Sequence, residues 1–458
     1  MVTNREKPLK IIVLYDPNRS WVESVGDART ILETAARLYP IPLNELEHQI
    51  NVTSTANAVL LLDPFAVLDH PDVIAAFSCP FMVNFQPLMW HSYDAIARTF
   101  LKRVGIPVLP SDSQEALENS LSALAAQARL AGEKAILFVG QRSRNQNSAS
   151  VQRLPERTGI QVELRDVDEL KACAAAVSFT AASDVLNRWK QGVFNSIHPN
   201  IPDKHLIEIA RLYVAEKRIA DEVGATALAV EEFAPFLFQN HPMPNITYAI
   251  LKNEGVLTAE EADFGVLATM ILLRALTGEA NTMANVYLAW RDEYERINTA
   301  EEYTASLMRK DYQQCLRDGT VVISHFGSAG SLPLNMMEGS RYDVIETTPP
   351  WPSQSMLSSI PRLGAVILTR LHDDGETLDM YPGEGVAIRT LKRDDWLRTR
   401  WMVQLDAQAF KTNAIHAHWA ISRPPPQQAL EILCSELLKI SVRWFSSQVG
   451  VKETYNVV

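Results

Sequence analysis

Short apolar runs, each followed by a stretch with helical periodicity, constrain the fold of this chain more than any other sequence feature. Residues 10–14 (KIIVL), 58–62 (AVLLL) and 134–139 (KAILFV) are nearly continuous apolar segments. Such runs are typical of parallel strands that are buried on both faces. Helical patterns at 25–38 and 204–222 alternate with runs of this kind. The alternation predicts an α/β fold with parallel sheets.

The domain organisation follows from where this pattern restarts and where it stops. A chain of 458 residues is too long for one hydrophobic core. After about residue 315, strand-like alternation is interrupted by turn signals such as 373–375 (DDG), 383–385 (GEG) and 424–426 (PPP). We therefore predict two Rossmann-like α/β domains followed by a C-terminal antiparallel β-barrel-like domain. Their predicted ranges are residues 1–125, 126–314 and 315–458, the last with a closing helix over 427–446.

Charge and hydropathy exclude several classes of function. With 43 basic and 54 acidic residues, the net charge of −11 gives no general attraction for nucleic acid. The longest apolar stretch, 266–276, is too short to span a membrane. The four cysteines are scattered and form no C-x-x-C pair, so a disulfide framework does not follow. A reducing cytoplasm is the predicted compartment.

An acidic motif opens what the pattern predicts to be an apolar helix beginning at Thr258. Thr258 and Glu261 have the S/T-x-x-E spacing of a capping box, in which the glutamate bonds the first amide of the helix. Asp263 lies in the first turn, where the helix dipole favours an anion. For both carboxylates a capping role and a role in a functional site stay open.

Two adjacent glutamates end a predicted buried strand at residues 226–230. The carboxyl ends of parallel strands are where open α/β sheets gather their ligands. Glu231 is preferred as the site residue because it follows the apolar run directly, but Glu232 is nearly equal, and simple solvation of a strand end is the alternative for both.

Three histidines are candidates for a site. His325 follows the strand-like residues 321–323, and His416 and His418 are two positions apart, so on a strand they share one face. The alternative for each is a structural or surface histidine. A polar basic segment, 141–147, follows the 134–139 run and could meet a phosphate or sulfonate group or be a solvated loop.

Five short segments together resemble the C-terminal half of the L-fucose/L-arabinose isomerase-like family. Their order and distances agree with that family over about residues 225–445. The segments are NEG at 253–255, EEAD at 260–263, LTG at 276–278, HFG at 325–327 and HAH at 416–418.

The resemblance implies a metal-dependent aldose–ketose isomerase that acts on a monosaccharide or a modified monosaccharide. It implies Mn²⁺, or Mg²⁺, bound by two carboxylates and one histidine, which are Glu231, Asp263 and His418. It also implies Glu231 and Asp263 as catalytic residues, and His325, Glu261 and His416 as substrate-binding residues. A small-molecule sugar and copies of the same chain, in a trimer or hexamer, are the implied partners.

The chemistry explains why such an enzyme uses a metal. Moving a carbonyl between adjacent carbons requires removal of a weakly acidic proton, and a metal on the substrate oxygens stabilises the resulting enediolate. A carboxylate transfers the proton. Glu260 and Phe326 stand where the family has cysteines, so an epimerase or lyase that uses the same metal, and a non-catalytic cytoplasmic sugar-binding protein, are the alternatives.

Overall fold

The computed structural model describes residues 8–18, 28–48, 55–63, 66–83, 91–232, 234–239, 241–287, 319–324, 332–347, 354–390, 399–414 and 416–445. Over these residues the protein is a mixed α/β structure with parallel sheets and further, largely antiparallel sheets, which confirms the expected class at that level. The chain divides into two compact units. Unit 1 is Met1–Ala131 with Pro425–Ile440, and unit 2 is Gly132–Pro424 with Ser441–Val458. The three predicted domain ranges stay a prediction.

Unit 1 contains a five-stranded parallel sheet in the order β2-β1-β3-β4-β5, one of the common doubly wound orders. Residues 11–14 and 58–61 of its apolar runs are buried, as their sequence predicts. The strands are β1 Leu9–Tyr15, β2 Ala36–Pro42, β3 Ala58–Leu61, β4 Phe81–Val83 and β5 Val108–Leu109. The helices are α1 Ala28–Ala35, α2 Ala66–Asp69, α3 Pro71–Ala75, α4 His91–Arg103 and α5 Gln114–Leu130.

The helix predicted over 25–38 is wrong in its C-terminal part, where the chain changes to a strand at Ala36. Among the described strands, β2 pairs only with β1, and Pro40 lies opposite Val13. Proline is tolerated there because an edge strand has one side that makes no ladder hydrogen bonds. Sheet pairing therefore overrides the local helical pattern.

The end of the chain contributes to both units. Helix α14, Gln427–Glu431, continues as a π-helical segment, Ile432–Leu438, and belongs to unit 1, where Asn119 Nδ2 donates to Gln428 Oε1 at 2.9 Å. The closing helix predicted over 427–446 ends early, because Lys439 has a left-handed φ of 58° and Ser441–Trp444 forms β19 in unit 2.

Unit 2 contains a four-stranded parallel sheet in the order β10-β9-β6-β7. Its strands are β6 Lys134–Val139, β7 Gln161–Asp166, β9 Ala227–Val230 and β10 Leu257–Ala259. Helices packed with it or following it are α6 Gln141–Gln146, α7 Ser150–Thr158, α8 Val167–Ala175, α9 Phe179–Gly192, α10 Asp203–Val223, α11 Asn245–Asn253 and α12 Phe264–Thr277. The predicted basic loop 141–147 is thus mostly the short helix α6.

The helix predicted to begin at Thr258 begins at Phe264 instead. Residues 257–259 pair in parallel with β9 as strand β10, and the buried Thr258 hydroxyl donates to the carbonyl of Tyr248 at 3.1 Å. Thr258 therefore does not cap a helix, and the predicted capping box with Glu261 is wrong. A long-range strand pairing outweighs the local capping signal.

Unit 2 also contains a seven-stranded sheet in the order β15-β18-β11-β12-β17-β16-β19, in which β15 pairs with β16 as well as with β18. Its pairings are antiparallel except for β16 with β19. The predicted turn at 383–385 is wrong, since these residues lie within strand β16, Thr377–Thr390. The strands are β11 Thr282–Tyr287, β12 Thr320–Ser324, β15 Gly364–Leu371, β16 Thr377–Thr390, β17 Thr399–Gln404, β18 His418–Ser422 and β19 Ser441–Trp444.

A smaller three-stranded sheet completes unit 2, in the order β14-β13-β8. Its strands are β8 Phe194–Ile197, β13 Met337–Thr347 and β14 Gln354–Pro361, and helix α13 is Ala407–Asn413. Of the helices in the described residues, none is both long and apolar enough to cross a membrane.

Candidate active site

A polar cavity of about 330 Å³ lies in unit 2, where segments that follow β6 and β10 meet strands β11, β15 and β18. Its position agrees with the rule that open parallel sheets bind ligands beyond the carboxyl ends of their strands. The residues that line it are Arg142, Gln146, Asn147, Glu261, Asp263, Asn285, Arg370, Asp373, His416, Ala417 and His418.

The turn between β10 and α12 has a strained backbone that presents two carboxylates to this cavity. Glu261 and Ala262 both have left-handed φ angles, 57° and 49°. Such a conformation costs about 1 kcal/mol or more for a residue with a side chain. Buried Asn147 holds the turn, because its Nδ2 donates to the Ala262 carbonyl and its Oδ1 accepts from Phe264 N, both at 2.8 Å. Backbone strain fixed in this way is common at functional sites.

Asp263 is the N-cap of α12, accepting from Val266 N at 3.0 Å, and it is also paired with a buried arginine. Arg370 Nη1 lies 3.0 Å from both of its carboxylate oxygens, and Arg370 Nη2 reaches Asp373 at 3.2 Å. Burial opposes ionisation, but the charge of Arg370 and the hydrogen bond to His418 hold the pKa of Asp263 well below its usual range. Asp263 is therefore a permanent anion in the site.

His418 lies between two carboxylates. Its Nδ1 is 2.9 Å from Asp263 Oδ2, and its Nε2 is 3.4 Å from Glu261 Oε1. Burial alone would lower the pKa of His418, but the hydrogen bonds from Asp263 and Glu261 raise it to about 9. The imidazole is therefore protonated at neutral pH and donates from both nitrogens.

His416 lines the same cavity in the opposite protonation state. Burial, followed by the charge of Arg370, lowers the pKa of His416 to about 4. Its ring packs edge-on against His372 with centroids 5.6 Å apart. One protonated and one neutral imidazole in one cavity form a pair suited to acid–base work.

Glu231 is placed elsewhere. Its Oε2 accepts from Gly140 N at 2.7 Å, from Ser143 N at 3.3 Å and from the Ser143 hydroxyl, so it holds the first turn of α6. An added Cβ on Gly140 would lie 2.9 Å from that oxygen. Glu231 is not among the described residues that line the cavity. Of the three predicted metal ligands, only Asp263 and His418 are brought together, and the carboxylate beside them is Glu261.

Glu232 lies behind the strained turn and is fully buried. Its Oε2 accepts from Glu261 N and its Oε1 accepts from the Tyr248 hydroxyl, both at 2.6 Å. Burial, then the nearby charge of Glu260, raises the pKa of Glu232 well above its usual range. Glu232 therefore positions the backbone of Glu261 and does not face the cavity.

The sequence prediction missed Arg370, Asp373 and Asn285 as site residues, and it treated Arg142 and Asn147 only as parts of a basic segment. The signal for Arg370 was present, because a charged residue within an apolar strand (AVILTRL, 365–371) indicates a buried ion pair. The predicted substrate contact His325 lies outside the described residues.

The predicted metal ligands fit a divalent cation poorly in this arrangement. The oxygens of Asp263 already accept from Arg370, His418 and Val266. Both ring nitrogens of His418 already contact carboxylates, Nδ1 that of Asp263 and Nε2 that of Glu261. Glu231 is bound to the start of α6. We therefore derive no step through a metal, and the Mn²⁺ or Mg²⁺ requirement stays a prediction.

Comparisons with known proteins add little to this description. No protein-family model matches the chain, and no protein of curated function matches it. Among solved structures, it is similar to one described as a two-component system response regulator/GGDEF domain protein. That likeness has 12% identity and a TM-score of 0.22, and it covers 59% of this chain and 99% of the other. A TM-score this low carries no argument about fold or function.

Proposed function

We propose that this cavity is the active site of an aldose–ketose isomerase that acts on a monosaccharide or a modified monosaccharide. The observation that carries the proposal is the contact between the Glu261 carboxylate and the protonated His418 imidazole, 3.4 Å apart on the cavity wall. A carboxylate that accepts a proton beside an imidazolium that donates one is the equipment that enediolate chemistry needs.

In this proposal Glu261 removes the proton from the carbon next to the substrate carbonyl and returns it to the neighbouring carbon. His418 Nε2 exchanges its 3.4 Å contact with Glu261 for a hydrogen bond to the substrate oxygen on which negative charge develops, while Asp263 on Nδ1 keeps the imidazole oriented and charged. Neutral His416 is a further proton acceptor that lines the cavity. It is suited to moving the hydroxyl proton between the two substrate oxygens.

The proposal includes the finer features that the family resemblance implies. These are a β-barrel-like form of the seven-stranded sheet and assembly into a trimer or hexamer. Light scattering coupled to size-exclusion chromatography tests the assembly. An epimerase or lyase would use the same proton acceptor. The test must therefore identify the product sugar as well as detect exchange of the carbon-bound proton.

The test is a screen of aldoses and ketoses in D₂O, with NMR detection of deuterium at C1 or C2 and of the product sugar. Each sugar is tested after chelator treatment and again with added Mn²⁺ or Mg²⁺. We expect Glu261→Gln to lower exchange by about a hundredfold or more, as expected for loss of a general base. Glu376→Gln, an exposed glutamate outside the cavity, is the matched control and keeps full activity.

The outcomes separate the alternatives. Exchange that needs added Mn²⁺ would restore the metal-dependent mechanism and require Arg370 to release Asp263. Deuterium exchange accompanied by formation of an epimer or a cleavage product would make the protein an epimerase or a lyase instead of an isomerase. Sugar binding without exchange of any substrate would leave a sugar-binding protein and end the enzyme proposal.

A further inference from the structure

The charges in the cavity are paired, with one exception. Arg370 is matched by Asp263 and Asp373, and His418 is matched by Asp263 and Glu261. Each of these pairs is formed within the protein.

Arg142 is the exception. It lines the cavity from helix α6, and within residues 8–445, where the structure describes them, no carboxylate is paired with it. Gln146, one helical turn further on, faces the same cavity. The other arginine of this helix, Arg144, lies 3.8 Å from Asp166 and is not among the residues that line the cavity. Helix α6 therefore places Arg142, which has no carboxylate partner among the described residues, and the Gln146 amide at the cavity. Its ion-paired arginine, Arg144, is not part of the cavity lining.

An arginine is suited to this task because its planar guanidinium donates two parallel hydrogen bonds to a carboxylate, phosphate or sulfonate. Helix α6 is itself fixed, since Glu231 binds its first turn and Asn147 at its end donates to the Ser143 and Ala262 carbonyls. Arg142 and the turn that carries Glu261 are thus held by the same residue, Asn147. An anionic group on Arg142 would set the position of the substrate carbons relative to Glu261.

We infer that the substrate is an anionic sugar, with Arg142 and Gln146 binding its phosphate, carboxylate or sulfonate group and the Glu261–His418 end of the cavity receiving its carbonyl. This inference rests on the proposed function for the carbonyl end only. The anion-binding end depends on Arg142 and can be tested by binding alone.

The experiment measures binding by isothermal titration calorimetry for hexose 6-phosphates, hexuronates and 6-sulfohexoses, each against its neutral parent hexose. We expect one anionic class to bind about tenfold or more tightly than its neutral parent, as a charge-assisted contact provides. Arg142→Gln should remove most of that difference, and Arg142→Lys should retain part of it. Arg144→Gln, on the same helix, should leave it unchanged.

Each outcome decides one of the two proposals. Equal affinity for neutral and anionic sugars, or an Arg142→Gln protein that keeps the preference, overturns the anionic substrate, even if the neutral sugar is isomerised. Preferential binding without deuterium exchange supports the anion site and overturns the isomerase. An absence of binding by every sugar overturns both.

Discussion

Asp263 has three tasks that compete for its oxygens: it caps α12, pairs with Arg370 and orients His418. A buried carboxylate is stable only if its charge is compensated, and here a guanidinium and an imidazolium compensate it. Removing Arg370 would leave that charge buried without its main partner. At the scale of single residues, the site is therefore one electrostatic unit rather than a set of independent side chains.

Asn147 is expected to be essential for the geometry of the site. In Asn147→Ala, the Ala262 carbonyl and the Phe264 amide lose their buried partners, and the strained turn is no longer held. We expect a loss of roughly 2–4 kcal/mol in the free energy of unfolding, measured by urea denaturation. Asn145→Ala, an exposed position on the same helix, should change it by less than about 0.5 kcal/mol. Equal effects of the two variants would contradict the assignment.

Glu216 is expected to make stability depend on pH. Burial raises its pKa to about 8 from 4.5, and among the described residues neither of its carboxyl oxygens has a hydrogen-bond partner that would stabilise the charge. Because the folded-state pKa is the higher one, the contribution of Glu216 is fully present below pH 4.5 and is lost as the pH rises to about 8.

The test compares Glu216→Gln with Glu222→Gln, an exposed glutamate on the same helix. Between pH 5 and 8 the parent protein should lose on the order of 2–4 kcal/mol of stability through this group. The Glu216→Gln protein should lose correspondingly less, and Glu222→Gln should behave like the parent. Parallel pH profiles for all three would show that Glu216 is ionised in the folded protein.

At the scale of elements, the first turn of α12 approaches strand β15 closely, and a glycine permits this. A Cβ on Gly265 would lie 2.5 Å from both Arg370 Nη2 and Asp373 Oδ1. Leu371 N also donates to the Thr269 hydroxyl at 2.9 Å, so helix and strand are bonded one turn further along. The ion pairs of the site therefore depend on how near these two elements lie.

Gly265→Ala should destabilise the protein by roughly 1–3 kcal/mol, although alanine is the better helix former, because the buried guanidinium must move. The matched control is Gly192→Ala at the end of α9, where an added Cβ meets no atom within 4 Å. That variant should be neutral or slightly stabilising in thermal denaturation. If both variants shift the melting temperature in the same direction, the close approach has no energetic effect.

At the scale of the whole molecule, a segment distant in sequence completes unit 1. Leu433 and Cys434 in the π-helical segment are fully buried, although more than 290 residues separate them from Ala131. The stability of this unit therefore depends on the end of the chain.

Leu433→Ala should cost about 2–5 kcal/mol by leaving a cavity in unit 1. Hydrogen exchange should show faster exchange for amides of β1 and β3, with much smaller changes in β6 and β9. Leu363→Ala, half exposed in unit 2, is the control and should leave both sets unchanged. Equal acceleration in the two units would mean that they unfold together.

The sequence by itself determined the strands that consist of nearly continuous apolar runs, such as β1, β3 and β6, because such runs are stable only when buried. These strands in turn determined the α/β class. It also placed Glu261, Asp263, His416 and His418 among the candidate residues. It did not determine the start of α12 or the end of α1, because the helical signals at Thr258 and at residues 36–38 are local. Strand pairing with β9 and β1, which is long-range, outweighs them.

Only the tertiary structure decided which carboxylate joins His418. In the sequence Glu231 and Glu232 follow a predicted strand and Glu261 opens a predicted helix, so each is a candidate, and the free energy that distinguishes them comes from their partners. Glu231 accepts a hydrogen bond from an amide at the start of α6. Glu232 accepts from the Tyr248 hydroxyl and the Glu261 amide, and the left-handed turn leaves Glu261 facing the imidazole of His418. Hydrogen bonds between residues from 16 to 155 positions apart fix these roles, and no local pattern encodes them.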